Sequence, residues 1–276
     1  MTIRKMRFIL CLILQLKYFV TKYTQPFVFW REAVQRTSLL LSYEDISLVN
    51  NSDVEQMFNF LRTPAGGAWC ESDIIVTSCP KWSDLAGVLR LISENSDFLL
   101  LYCSLKGGDV RNSRGVCLGP GGDLIPEIKF ENWCERQINI FDFCSKKMTD
   151  DEAGLLYEEI GKVLNAKDCD YVAHMFEHNL AFEPRRQVSV FACEDKKCTC
   201  GKPLHGRSLT EHLIDAAENF YSQDKLSGTD PFMLKRAAKL AAGNIAIETG
   251  AEQRVVVEEK YLAIKELKRL RRCWGE

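Results

Sequence analysis

The stretch 73–105 constrains this chain most. Residues 73–79 (DIIVTSC) form a short, β-branched apolar run that Pro80 closes. Apolar residues then recur at Leu85, Val88, Leu89 and Ile92, the spacing of one helix face. Residues 97–105 (DFLLLYCSL) are again apolar without alternation. Strand, helix and strand with short links make a βαβ unit, and strands that do not alternate are those buried on both faces of a parallel sheet. The fold expected is mixed α/β and helix-rich, with a small βαβ-containing core and a helical C-terminal half.

The flanks are read by the same rules. Residues 26–63 read as helical, with Phe27, Phe29, Trp30, Ala33 and Val34 in one apolar cluster and Ser52 and Glu55 spaced as a capping box. The segment 106–122 carries six glycines and reads as a surface loop in which Arg111 and Arg114 could meet an anion. It has neither the G-x-G-x-x-G nor the GK[ST] spacing of a phosphate-binding loop. Residues 138–143 read as a strand. Helices are expected at 149–164, 169–182, 208–221 and from Pro231 onward, with a strand at 187–193 among them. A last helix is expected over about 252–273, because Val257, Tyr261, Ile264, Leu267, Leu270 and Trp274 recur at three- and four-residue steps. This divides the chain into a hydrophobic N-terminal segment (1–25), a helical segment (26–66), an α/β core (67–147) and a helical region (148–276).

Composition bounds the function classes. The chain has 276 residues, 46% hydrophobic and 27% charged, which is ordinary globular composition. A net charge of −2 gives no global basic field for nucleic acid. Its twelve cysteines are mostly isolated in apolar runs, such as those at Cys103 and Cys144, where cysteine behaves as a small buried hydrophobe. Reduced thiols and a cytoplasmic location are expected on that basis. At the N-terminus, Arg4, Lys5 and Arg7 precede an apolar run that Lys17 interrupts. Two readings stand: a targeting signal, or a hydrophobic helix on the core or on a membrane surface through residues 6–20. The run is shorter than the roughly 20 residues that span a bilayer.

The most concentrated chemistry lies in 171–213, which holds all four histidines. Residues 174–178, HMFEH, have the H-x-x-E-H pattern. On a helix it places His174 and His178 one turn apart, able to share one Zn²⁺, with Glu177 as general base. The surrounding AHMFEHNLAF is similar to the motif helix of the pitrilysin/insulysin family of metallopeptidases. That family takes a third ligand from a downstream glutamate, with another glutamate seven positions before it. Glu252 and Glu259 stand seven apart, so the resemblance implies Glu259 as third ligand and zinc-dependent hydrolysis.

A second candidate metal element runs through Cys193, Cys198, Cys200, His205 and His212, thiolates and imidazoles that suit tetrahedral zinc. The text CGKPLHGRSLTEHL resembles part of a two-cysteine, two-histidine zinc finger, which implies a structural zinc. It departs in having C-x-C for C-x-x-C, and Ala216 at the second helical histidine position. Further on, Lys265, Lys268, Arg269, Arg271 and Arg272 fill one face of the expected last helix, a surface for nucleic acid, membrane or a partner groove.

No serine or cysteine nucleophile pairs with a histidine by spacing alone. The compact, cysteine-scattered build is similar to that of small viral non-structural accessory proteins. The function expected is thus a non-enzymatic regulatory protein that binds a protein partner, with a possible structural zinc. The alternatives are a zinc-dependent metallopeptidase-like hydrolase and a nucleic-acid-binding protein.

Overall fold

A computed structural model describes residues 34–42, 53–78, 80–105, 107–110, 113–119, 122–142, 166–192, 209–248 and 254–261. They belong to the unit Val34–Glu276. Its elements in chain order are β1 (Arg36–Ser42), α1 (Asp53–Leu61), β2 (Ile74–Ser78), α2 (Trp82–Asn95), β3 (Phe98–Ser104), β4 (Gly107–Val110), β5 (Ser113–Leu118), β6 (Asp123–Pro126), β7 (Arg136–Asp142), α3 (Ala166–Phe182), β8 (Arg186–Phe191), α4 (Leu209–Gln223), α5 (Met233–Glu248) and β9 (Val256–Tyr261). Six strands make one sheet in the order β2-β1-β3-β7-β8-β9. Every pairing is parallel except β8 with β9. Strands β4, β5 and β6 make a separate antiparallel sheet. The mixed α/β class is the one expected.

The apolar strands are buried on both faces, as their lack of alternation requires. Leu40, Phe98, Leu100, Tyr102, Ile138, Ile140, Val188 and Val190 face one core, packed by Met57 and Phe60 of α1, Phe176 and Leu180 of α3, Leu213 of α4 and Ala237 of α5. Their neighbours Leu39, Leu41, Leu99, Leu101, Cys103, Phe141 and Phe191 face a second core with Leu85, Leu89 and Ile92 of α2 and Val116 and Leu118 of β5. Burial pushes the Cys103 thiol up, so it packs as an inert hydrophobe.

The structure departs from the sequence reading at three places. Within the segment expected to be helical, 36–42 is strand β1, and it sits between β2 and β3. Its run of three leucines fits a doubly buried strand as well as a helix, and pairing on both sides decides for the strand. The expected surface loop 106–122 contributes β4 and β5 to the small sheet. The expected last helix begins instead as edge strand β9, whose side chains alternate between the cores: Val256 packs with the second and Val257 with the first. Ion pairs follow that alternation. Glu258 lies 3.5 Å from Arg114 Nη1 of β5, while Glu259 Oε2 accepts from Lys235 Nζ of α5 at 2.7 Å.

Candidate functional site

Chain order reverses at β1. Its successor β2 lies on one side, and β3, β7 and β8 lie on the other. In open parallel sheets, ligands bind beyond the C-terminal strand ends at such a switch point. The register fixes which residues stand there. Ser78, Ser42 and Ser104 end β2, β1 and β3 side by side, and Ser104 is paired with Asp142 at the end of β7. A polar row thus crosses the C-terminal edge of the sheet.

Asp142 is the buried anchor of that row, 2% exposed. Its Oδ2 accepts the backbone N–H of Thr210 at 3.1 Å and the Thr210 hydroxyl at 2.6 Å. Tyr102 Oη, on the neighbouring strand, lies 2.5 Å from Thr210 Oγ1. Since the Thr210 proton goes to Asp142, the tyrosine O–H donates to Thr210. Thr210 is the second residue of α4, so Asp142 satisfies an N–H that the helix cannot bond internally. Burial pushes the Asp142 carboxyl up to about 7. The charge of Asp53 on α1 adds to the rise, the Thr210 bonds oppose it, and Glu211 adds to it again. A group that titrates near neutrality therefore joins the end of β7 to the start of α4.

The histidine-rich stretch is not gathered into a site among the described residues. His174 and His178 are exposed on α3, the His178 ring 5.1 Å from Phe182. Glu177 Oε1 lies 3.7 Å from Arg36 Nε, so it serves an ion pair with β1. Glu259 is held by Arg186 Nη1 at 3.0 Å and by Lys235. Burial pushes its carboxyl up, but the bonds and charges of Lys235 and Arg186 outweigh that and hold it below the ordinary range. His212 is buried on α4, its Nε2 3.1 Å from Glu248 Oε2. Cys193, Cys198, Cys200, His205, Glu252, the basic residues Lys265, Lys268, Arg269, Arg271 and Arg272, and residues 6–20 lie outside the described residues. Among the described residues, no group of three or more His, Cys, Asp or Glu could hold a metal ion, and no helix is long and apolar enough to cross a membrane. The H-x-x-E-H zinc reading through His174, His178 and Glu259 is corrected accordingly, while most of the cysteine-led element lies outside the described residues.

The polar row escaped sequence reading because neighbours within it are 36 to 62 positions apart and only strand register joins them. One signal was present: a small polar or acidic residue stands at or next to the end of each apolar run, at Ser42, Ser104 and Asp142.

No protein-family model matches the chain, and no curated protein matches it. The solved structures similar to it include these two. One is the Drosophila initiator caspase Dronc, at 12% identity over 82% of this chain and 80% of that one, with a TM-score of 0.45. The other is caspase-1 from Spodoptera frugiperda, at 10% identity over 82% of this chain and 86% of that one, with a TM-score of 0.41. Both are caspases, which does not match the expectation of a non-enzymatic regulatory or viral accessory protein.

Proposed function

We propose that the chain is a thiol-dependent hydrolase of peptide bonds, with Cys144 as nucleophile and His205 as proton acceptor. The observation that supports the reading is the contact between Asp142 and Thr210. Cys144 follows Asp142 by two positions, and His205 precedes Thr210 by five. One hydrogen-bonded joint at the switch-point edge thus ties together a segment that leads to a cysteine and a segment that follows a histidine. A thiol whose proton an imidazole can accept is a nucleophile at neutral pH.

In this reading the Cys144 thiol gives its proton to His205 and the sulfur attacks the peptide carbonyl carbon. The C–N bond breaks as the amine takes the proton back, leaving a thioester that water hydrolyses. The order along the chain differs from that of the caspase signature, Q-A-C-[RQG]-G with its histidine about 50 residues upstream. Here residues 142–146 read DFCSK and no histidine precedes His174, so a downstream histidine takes the role.

The test is hydrolysis of a fluorogenic peptide library by the full chain and its variants. Cys144→Ala and His205→Ala are each expected to lower turnover by roughly 100-fold or more with unchanged circular dichroism. Turnover that survives Cys144→Ala, or no cleavage of any library member by the unmutated chain, overturns the proposal.

A further inference from the structure

Three features outside the proposed chemistry compete for a role. The exposed face of α3 bears His174, His178 and Phe182, but nothing shows what would cover it. The open hollow lined by Phe182, Glu183, Pro184, Asp230 and Pro231 has its carboxylates engaged, Asp230 by Phe232 N and Glu183 by Arg186. Strand β9 carries an inference further, because it is held in a different way from β8 beside it.

We infer that β9 is a strap held over the edge of β8 by charge, and that it opens on its own while the rest of the sheet stays closed. The inference is independent of the proposed hydrolysis. Strand β8 buries five of its six side chains, whereas β9 buries none. Among the described residues β9 pairs with β8 alone, so one ladder holds its backbone. Val256 and Val257 add partial apolar packing, one to each core. Three consecutive charged residues supply the rest. Glu258 Oε1 lies 3.5 Å from Arg114 Nη1 of β5. Glu259 accepts from Arg186 Nη1 at 3.0 Å and from Lys235 Nζ of α5 at 2.7 Å. Lys260 Nζ donates to Glu131 Oε1 at 2.7 Å. The clasp thus grips both faces of the main sheet.

Its two sides are unequal. Arg114, Glu131 and Lys235 are largely enclosed, while Glu258 and Lys260 are 43% and 49% exposed. Arg114 also has Glu127 Oε2 at 3.7 Å and lies 4.0 Å over the Phe191 ring, contacts that do not involve β9. Opening therefore moves the strap's own half-exposed charges into water and leaves Arg114 braced. Ion pairs with an exposed member are individually weak and are screened by salt. A strand with little buried apolar surface opens at a lower free energy than the core strands.

The test is amide hydrogen exchange of the full chain, read by mass spectrometry on a peptide covering 256–261, with one covering 136–142 of β7 as internal reference. Raising NaCl from about 0.05 M to 1 M is expected to speed exchange in β9 by about threefold to tenfold relative to β7. At the lower salt, Lys260→Glu sets a carboxylate against Glu131 and is expected to speed β9 about tenfold with β7 unchanged. Adding Glu131→Lys to Lys260→Glu reverses the pair and should bring β9 back to within about threefold of the parent. If that double variant does not fold, Lys260→Gln replaces both, with an expected acceleration of about threefold at low salt that vanishes at high salt.

Exchange in β9 that ignores salt, or that ignores the substitution at Lys260, overturns the inference. Equal acceleration of β7 does so as well, because the opening would then be global. A folded double variant as fast as Lys260→Glu alone also overturns it.

Discussion

Glu177 Oε1 stands 3.7 Å from Arg36 Nε, and this pairing accounts for the glutamate of HMFEH. Arg36 is the more deeply committed partner. Its Nη1 and Nη2 donate to the carbonyl oxygens of Gly67 and Ala68 at 2.9 and 3.0 Å, and its guanidinium lies 4.7 Å from the Trp69 ring and 4.9 Å from Phe176. The side chain is 2% exposed, against 37% for Glu177. Arg36→Leu is therefore expected to cost about 3 kcal/mol or more through two lost charged hydrogen bonds. Glu177→Gln is expected to cost less than about 1 kcal/mol, because a pair with one exposed member is screened. Urea unfolding of both variants checks this, and equal costs would contradict it.

Stability should respond to pH through Asp142. Its folded pKa is raised from the usual carboxylate value to about 7, so the native state holds the proton more tightly than the unfolded chain does. Its contribution is fully present below the unfolded value and is lost as pH rises through about 7. Thermal unfolding between pH 5 and 8 should show a fall that Asp142→Asn lacks. A parent and variant with parallel curves would place the carboxyl in a different state.

Glu259 should show the opposite sign. Its carboxyl is held below the ordinary range, so its stabilisation is present above the unfolded pKa and is lost as pH falls through the folded value. It joins β9 to β8 and α5 through Arg186 and Lys235. Glu259→Gln is expected to cost about 1–3 kcal/mol at pH 7, since two charged donors lose their charged acceptor. The difference from the parent should shrink in acid, as chemical denaturation at pH 3 and pH 7 can show.

Two glycines give a paired test of packing. A Cβ on Gly228 would run into the Pro64 carbonyl oxygen, whereas one on Gly87 in α2 meets nothing within 4 Å. Gly228→Ala should destabilise by about 1–3 kcal/mol, because the turn 225–229 has no room to yield. Gly87→Ala should stabilise by up to about 1 kcal/mol, because a mid-helix glycine is replaced by a better helix former. Differential scanning calorimetry of the two variants should show Tm shifts of opposite sign.

The parallel sheet was legible where apolar residues ran without alternation and short links held them together, as in β2, α2 and β3. Strand β8 was legible because Pro184 ended the helix before it. Strand β1 was not, since Leu39, Leu40 and Leu41 fit a buried strand and a buried helix equally until neighbours are known. Strand β9 was misread because Val257 and Tyr261, four apart, suit a helix face, while its pairing with β8 places Val257 opposite Val190 and Tyr261 opposite Arg186. The candidate site left only a faint trace in the sequence, a polar residue near the end of each apolar run. It is a product of register, joining Ser42, Ser104 and Asp142 with Thr210 from a helix much later in the chain. The histidines drew notice through local density, but the fold leaves His174 and His178 exposed on α3 and buries His212 on α4 against Glu248.

Cys144 is the proposed reactive thiol of this chain. Incubating the full chain with a mixture of peptidyl chloromethyl ketones, followed by peptide mapping, tests it most directly. The account predicts one dominant adduct at Cys144, formed at least about tenfold faster than at exposed Cys70 and slowed in His205→Ala. Labelling of Cys144 no faster than Cys70, or labelling indifferent to His205→Ala, would contradict it.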